Sequence, residues 1–108
     1  GLFYVSDHGE SLGENGLYLH GVPYALAPEQ QTRVPMVTWL SDGLQQRSGV
    51  HTNCLRERAG RPVSHDHLFH SVLGLMDVTT AVRRSGLNLF EPCAQPAGVA
   101  PLSAPPAG

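Results

Sequence analysis

Two side chains that commonly bind metal ions, Asp7 and His8, follow an apolar run, LFYV at residues 2–5, after a single serine. A carboxylate oxygen and an imidazole nitrogen that are adjacent on the turn after a strand can both face one divalent cation, because the chain bends there. Zn²⁺ accepts this mixture of ligands and prefers four of them, so Asp7 and His8 supply at most half of a site. For this dipeptide alone, an Asp that caps a turn beside a surface His is commoner, and the residues that follow bear on the choice.

A glycine-rich loop, GESLGENGLYLHG at residues 9–21, continues from this pair. Its glycines allow backbone conformations and close approaches that side chains would block. Such a loop around a metal ion suits a phosphate or sulfate ester, whose anionic oxygens need close contacts. We expect Leu12 and residues 17–19 to tuck under the loop. His20 lies far enough along to return to the same pocket as a hydrogen-bond donor to a substrate phosphate or as a general acid; the alternative is a loop histidine without a partner.

Other acidic and histidine side chains are weaker candidates for chemistry. Glu10 and Glu14 could act as bases or as partners of the metal ligands, although solvated loop carboxylates are the commoner case. His65, His67 and His70 do not share a clear ligand face. His67 and His70 are i, i+3 neighbours that could form a weak metal site, but we interpret all three as histidines on a helix surface.

The composition excludes several classes of function. The 108 residues carry a formal net charge of −2, with seven arginines and no lysine, so the basic surface typical of nucleic-acid binding is missing. No apolar stretch approaches the ~20 residues that cross a bilayer, and no basic segment precedes an apolar run as in a signal peptide. Cys54 and Cys93 lack CxxC spacing, which excludes a zinc ribbon or a redox motif. One disulfide and two buried thiols are equally compatible with this count.

Two strands are expected to position the ligands at the start of the chain. Residues 2–6 and 34–40 are both almost continuously apolar, which is typical of strands buried on both faces of a parallel sheet, and Trp39 is then expected in the core. In parallel sheets, ligands collect at the carboxyl ends of the strands. Strands of this kind need more neighbours than the remaining sequence supplies, so we expect the chain to be part of a larger domain.

The second half of the chain is predicted to be mainly helical. Residues 50–59 are predicted to form one helix, and residues 65–77 a second one with apolar side chains at helical spacing and Ser64 as its N-cap. Residues 44–49 are interpreted as a polar excursion without regular structure. Residues 87–90 alternate in polarity, which predicts a short strand or an extended segment that lies on the core.

Two longer segments resemble a known enzyme family. SDHGESLGENGLYLHGVPYALAPEQQTRVPM, residues 6–36, is similar to the C-terminal part of the bacterial phosphoethanolamine–lipid A transferases. These enzymes belong to the sulfatase branch of the alkaline-phosphatase-like superfamily. SHDHLFHSVLGLMDV, residues 64–78, is similar to a segment near their end. The resemblance runs from about Phe3 to Cys93, and the continuation after SDHGES makes it specific to the transferases.

The resemblance implies a fold and a place in the cell. The expected fold is α/β: the C-terminal portion of an alkaline-phosphatase-like α/β/α sandwich with a mostly parallel central sheet. Residues 1–93 are then a C-terminal fragment of a periplasmic sulfatase-like catalytic domain, attached to the bacterial inner membrane through an N-terminal domain that these residues do not include. Residues 94–108 are almost entirely Ala, Pro and Gly and are expected to form a disordered tail.

The resemblance also implies roles for particular residues. Asp7 and His8 match the family's Asp-His zinc ligands, and His20 matches a loop histidine that approaches the phosphoethanolamine group or a second zinc ion. We therefore assign Zn²⁺ as the cofactor and His20 as a catalytic and substrate-binding residue. The family's further ligands, a Glu and the nucleophilic Thr, have no counterpart in these residues. A periplasmic domain favours a disulfide between Cys54 and Cys93.

The function implied by the resemblance is that of a zinc-dependent transferase. It would move phosphoethanolamine from phosphatidylethanolamine to a lipid A phosphate through a phospho-threonine intermediate, a reaction linked to polymyxin resistance. Its partners would be these lipids and the membrane. Two alternatives remain: a related transferase whose acceptor is another glycan or the lipopolysaccharide core, and a truncated product without activity.

Overall fold

The structure, a computed structural model, describes residues 1–95, which form two compact units, residues 1–40 and the residues from Ser41 onward. The elements are β1 (Leu2–Val5), β2 (Ser11–Leu12), β3 (Tyr18–Leu19), α1 (Glu29–Thr32), β4 (Met36–Trp39), α2 (Asp42–Ser48), α3 (Thr52–Arg58) and α4 (Asp66–Leu75), with single 3₁₀ turns at Glu14–Gly16, Ser85–Leu87 and Glu91–Cys93. Within residues 1–95, no helix is both long and apolar enough to span a bilayer.

Two antiparallel strand pairs form the first unit, so the parallel arrangement predicted for the two apolar strands is wrong for their pairing with each other. β1 pairs with β4, so that Val5 lies opposite Met36, and β2 pairs with β3. Both strands predicted from the apolar runs are present, each slightly shorter than predicted. β4 begins directly after Pro35, which has no N–H group to donate to the ladder.

The outer face of the β1–β4 pair is apolar and half exposed. Leu2, Tyr4, Val37 and Trp39 are 51%, 52%, 50% and 60% exposed, and the residues between them are less accessible. The prediction that these strands are buried on both faces, with Trp39 in the core, is therefore wrong for the part of the chain described here. A continuously apolar strand has side chains on both faces that are compatible with burial. Burial itself requires a packed layer on each face.

The second unit begins with α2, a helix that the sequence reading assigned to a polar excursion. The Ser41 hydroxyl accepts a hydrogen bond from the backbone N–H of Leu44 (3.3 Å), and Gly49 ends the helix in the left-handed conformation (φ 71°). A Ser N-cap and a Gly after the last turn are standard helix boundaries. The prediction failed because α2 is only 7 residues long and its polar sequence has almost no apolar periodicity.

The helices α3 and α4 confirm the two predicted helices, with slightly shorter bounds. The predicted N-cap of α4 is wrong in one detail, because the Ser64 hydroxyl caps no backbone N–H there and His65 already has helical φ and ψ. The Ser64 carbonyl instead accepts a hydrogen bond from the His67 backbone N–H, and the Ser64 N–H donates to His67 Nδ1 (3.2 Å). These bonds tie the first turn of α4 together.

A turn after α4 packs on this helix. Ser71 is fully buried, and its hydroxyl accepts a hydrogen bond from the backbone N–H of Leu89 (2.9 Å). Asn88 and Phe90 are also buried, as expected for a segment that lies on the core. The prediction of a strand or an extended segment is wrong, because Leu87 ends a 3₁₀ turn and residues 89–90 form a further turn. A side chain at Gly74 would overlap the Asn88 amide, which explains the glycine in the last turn of α4.

A disulfide joins Cys54 on α3 to Cys93 in the closing segment, with their Cα atoms 5.5 Å apart. Next to it, Val50 and Ala94 form an isolated antiparallel bridge. The first residue of the predicted tail is thus paired in the structure, and residues 96–108 lie outside the described part of the chain.

Candidate functional site

Three side chains of the first unit converge on one point. His8, Glu10 and His20 each offer one ligand atom, and these atoms all lie within 4.8 Å of one another. The Glu10 Oε2 atom is 3.1 Å from His20 Nδ1 and 3.9 Å from His8 Nδ1. About half of each side chain is exposed, with values between 40% and 50%. The cluster is therefore open to a ligand from solvent.

The β2–β3 pair explains why Glu10 meets His20. In this antiparallel pair Ser11 lies opposite Leu19, so the preceding residue Glu10 and the following residue His20 are the next cross-strand neighbours. The turn between the strands requires backbone with positive φ at Gly13 (123°) and Gly16 (72°), where L side chains are strained. The glycines of the loop thus form the turn that returns His20 to the start of the loop.

The ring of His8 packs against the ring of His20. The two imidazole rings are stacked, with centroids 3.7 Å apart and an angle of 28° between their planes. His8 Nδ1 lies 2.8 Å from the carbonyl oxygen of Gly9, and since a carbonyl only accepts, Nδ1 carries the proton. The lone pair of a neutral His8 ring then resides on Nε2, which is the atom that could bind a metal ion.

Asp7 lies beside this cluster and outside the group of three. Its side chain is 90% exposed, one carboxylate oxygen accepts a hydrogen bond from the His8 backbone N–H (3.0 Å), and the other lies 3.8 Å from His8 Nε2. With metal–ligand bonds of about 2.1 Å, two ligands of a tetrahedral zinc ion lie roughly 3.4 Å apart. The spacing of Asp7 Oδ2 and His8 Nε2 is close to this value, so a shared ion fits, and their role as ligands stays a prediction.

Sequence reasoning missed Glu10, which it treated as a solvated carboxylate. The signal that could have identified Glu10 is the pairing of residues 11–12 with residues 18–19. The glycines between these residues permit the pairing, but strands of two residues are too short to be recognised from their sequence pattern. Glu14 belongs to the loop scaffold, because its Oε2 accepts a hydrogen bond from the backbone N–H of Leu12 (2.7 Å). Leu12, predicted to tuck under the loop, is 78% exposed, and β3 is exposed as well.

The histidines of α4 have structural partners. His67 Nδ1 accepts a hydrogen bond from the backbone N–H of Ser64, and His70 Nδ1 accepts one from the backbone N–H of Arg84 (3.0 Å). Among residues 1–95, the group around Glu10 is the one cluster of histidine, cysteine and acidic side chains with metal-ligand spacing. The interpretation of the α4 histidines as part of the helix surface is consistent with these contacts.

Solved structures that are similar to this chain define the class of fold. The chain is similar to the soluble domain of lipooligosaccharide phosphoethanolamine transferase A from Neisseria meningitidis, with a TM-score of 0.82 and 49% identity over 87% of this chain and 29% of that chain. It is also similar to the C-terminal periplasmic domain of phosphoethanolamine transferase EptC from Campylobacter jejuni (TM-score 0.72, 45% identity, 86% and 28% covered). The fold is that of the alkaline-phosphatase-like α/β domains, as predicted.

Residues 1–78 match the family model described as Sulfatase, and the chain belongs to this family. Phosphoethanolamine transferase EptA from Salmonella typhimurium is 50% identical over 93 residues, which are 85% of this chain and 17% of that protein. Phosphatidylethanolamine transferase Mcr-1 from Escherichia coli is 42% identical over 78 residues, 72% of this chain and 13% of that protein. The resemblance to phosphoethanolamine transferases is confirmed, and the chain spans about a sixth of the length of such relatives.

Proposed function

We propose that the chain forms part of the catalytic domain of a phosphoethanolamine transferase that modifies lipid A. The observation that carries this proposal is the cluster of His8, Glu10 and His20, because it lies in the segment most specific to the transferases and offers ligands to a cation beside an open surface. The identity of 50% with EptA supports the same activity.

We propose Zn²⁺ as the resident cofactor, held by Asp7 and His8 together with ligands outside these 108 residues. Imidazole nitrogen and carboxylate oxygen are donors that zinc accepts, and the spacing between Asp7 Oδ2 and His8 Nε2 fits one ion. A bound zinc ion would supply positive charge to neutralise a phosphoryl group. Glu10 would orient His20 through Nδ1, which leaves Nε2 to contact the phosphoethanolamine phosphate.

The proposed donor is phosphatidylethanolamine and the proposed acceptor is a lipid A phosphate. The phosphoethanolamine group would first move to the hydroxyl of a threonine outside these residues, with release of diacylglycerol. The acceptor phosphate would then take the group from the threonine, whose hydroxyl is restored. The domain would face the periplasm from the inner membrane, and the modification would reduce binding of polymyxin. A similar solved structure, from Neisseria meningitidis, is described as an integral membrane protein, which supports this location.

A second acceptor is favoured by a specific relative. Kdo(2)-lipid A phosphoethanolamine 7''-transferase from Escherichia coli is 37% identical over 83 residues, 73% of this chain. A transfer to the sugar core of lipopolysaccharide would use the same metal and histidine chemistry. The higher identity to EptA makes lipid A phosphate the first choice.

A graft tests the proposed activity. The 93 residues that match EptA would replace the corresponding segment of Escherichia coli EptA in a strain that lacks its own enzyme, and lipid A would be analysed by mass spectrometry. We expect phosphoethanolamine on lipid A from the graft. A stable graft that leaves lipid A unmodified and adds phosphoethanolamine to the core instead would support the second acceptor; modification of neither would contradict the proposed function.

The 108-residue chain alone is expected to bind zinc weakly and to transfer nothing, because it supplies only part of the coordination set. Calorimetric titration of zinc into the chain measures this. A tight one-to-one site would contradict the division of ligands proposed above and would make the cluster around Glu10 a complete site.

A further inference from the structure

The loop that carries the candidate site is attached at two points to α1, the single helical turn at Glu29–Thr32. The backbone N–H of Gly9 donates a hydrogen bond to the Gln31 carbonyl oxygen (2.9 Å). The Gln31 side-chain Nε2 donates a second one to the Ser11 hydroxyl (2.9 Å). Glu10, the acidic member of the cluster, lies between the two attached residues. One residue of α1 therefore holds the chain on both sides of Glu10.

The bond between Gln31 and Ser11 is buried. Ser11 is 1% exposed and Gln31 is 6% exposed, whereas Gln30 and the other residues of α1 are exposed. Removing one partner of a buried hydrogen bond leaves the other without a partner, which costs more than the loss of an exposed bond. Gln31 is thus the one buried residue of α1, and its side-chain amide is hydrogen-bonded to the loop.

The distance between the loop and α1 is also fixed by contact. A Cβ atom at Gly9 would overlap the Gln30 carbonyl oxygen and lie 2.9 Å from its carbonyl carbon. These are backbone atoms, which cannot move aside as a flexible side chain can. The loop therefore lies directly on α1 at Gly9 and is hydrogen-bonded to it at both neighbours of Glu10.

We infer that Gln31 is a positioning residue for the candidate site. By fixing Gly9 and Ser11 it sets the direction of the Glu10 carboxylate. Ser11 also lies opposite Leu19 in the β2–β3 pair, so the same anchor sets where β3 delivers His20. The Gln31 amide donates to Ser11 and its carbonyl accepts from Gly9, so Gln31 acts on the histidines through the loop. The zinc readout of this inference rests on the proposed function, whereas the positioning of the loop by Gln31 does not.

The test compares two substitutions in the 108-residue chain. Gln31→Met keeps the length of the side chain and removes the N–H donor, and Gln30→Met makes the same change at the exposed neighbour. Cross-relaxation between the ring protons of His8 and His20 reports the stacking, and ring signals during a zinc titration give the affinity. Because the Gln31 carbonyl also fixes Gly9, the neighbour of the proposed ligand His8, we expect Gln31→Met to lose the cross-peaks and about tenfold in zinc affinity. We expect Gln30→Met to stay close to the parent in both readouts.

A double variant separates positioning from stability. Ser11→Ala with Gln31→Met replaces both hydrogen-bonding groups by apolar ones, which is nearly neutral for stability when shape is kept. We expect its melting temperature to return towards that of the parent while the cross-peaks and the zinc affinity stay reduced. Recovery of all three, or retention of the cross-peaks in Gln31→Met, would overturn the inference. Should Gln31→Met not fold, Ser11→Ala alone supplies the same comparison.

Failure of the proposed function has a different signature. If the parent chain shows the His8–His20 cross-peaks and its ring signals stay unchanged even at zinc concentrations high enough to fill a weak site, the assignment of His8 as a metal ligand fails. The comparison of cross-peaks between Gln31→Met and Gln30→Met still decides whether Gln31 positions the loop.

Discussion

The rings of His8 and His20 stack with their centroids 3.7 Å apart, although they stand at opposite ends of the glycine-rich loop. The carboxylate of Glu10 approaches both rings, with Oε2 at 3.9 and 3.1 Å from their Nδ1 atoms. The loop is therefore closed on itself by side chains as well as by the β2–β3 pair. This closure places His8, the proposed metal ligand, next to His20, the proposed phosphate contact.

Replacing Glu10 by Gln should weaken metal binding. The substitution keeps the size of the side chain and removes the negative charge that lies 3.9 Å from Nδ1 of His8, a proposed zinc ligand. Because partners of metal ligands typically contribute ten- to a hundredfold to affinity, we expect zinc to bind about tenfold more weakly. Zinc titration followed by the histidine ring signals measures the change. Glu29→Gln is the matched control, since that exposed carboxylate pairs with Arg33; equal losses in both variants would contradict a role for Glu10.

Asp7→Ala and His8→Ala should each abolish transfer to lipid A in the EptA graft. The Asp7 side chain is 90% exposed and contacts the neighbouring His8 through its backbone N–H and its ring, so loss of the carboxylate tests ligation and not folding. Asp66→Ala, which removes an exposed carboxylate on α4, is the control and should leave the modification intact. Modified lipid A in either site variant, detected by mass spectrometry, would remove that residue from the active site.

His20→Ala should lower turnover of the graft more than its zinc content. The reason is that His20 is proposed to contact the phosphoryl group, while Asp7 and His8 hold the ion. Metal analysis of the purified graft together with the rate of lipid A modification separates the two effects. Equal loss of zinc and of rate would instead make His20 a direct metal ligand.

The sequence predicted those parts of the fold that depend on local pattern. The strands β1 and β4 and the helices α3 and α4 follow from apolar runs and helical spacing, and each appears in the structure. The exposure of Trp39 could not be predicted, because the sequence of an apolar strand does not show whether another layer of structure packs on each of its faces. The helix α2 was not predicted, because a short polar helix depends on its caps at Ser41 and Gly49 and has almost no apolar periodicity.

Two members of the cluster, His8 and His20, were singled out from the sequence, but the contacts that join them were not. Asp7, His8 and His20 could be chosen from their chemistry and from the family resemblance. The involvement of Glu10 depends on a pairing of two-residue strands, and the attachment through Gln31 depends on one turn of helix. Such short elements are fixed by tertiary contacts and carry almost no periodic signal.

Gly9→Ala should destabilise the first unit. The added methyl group would overlap the Gln30 backbone, and overpacking of this kind costs about 1–3 kcal/mol. Gly43→Ala is the control, because its Cβ would meet nothing within 4 Å and the position is inside α2. There, alanine should stabilise by about 0.5–1 kcal/mol. Urea unfolding of both variants measures the difference, and an unchanged free energy of unfolding for Gly9→Ala would show that the loop can move away from α1.

The Cys54–Cys93 disulfide should stabilise the second unit mainly by restricting the unfolded chain. Its sequence separation is 39 residues. A loop of this length corresponds to about 4 kcal/mol in the chain-entropy description. We expect the double variant Cys54→Ala with Cys93→Ala to lose stability of this order in urea unfolding. The expected loss should disappear when parent and variant are compared under strong reductant, because the parent then lacks the same cross-link. A parent that keeps its full advantage after reduction would show that packing of the two side chains, and not the covalent bond, stabilises this end of the chain.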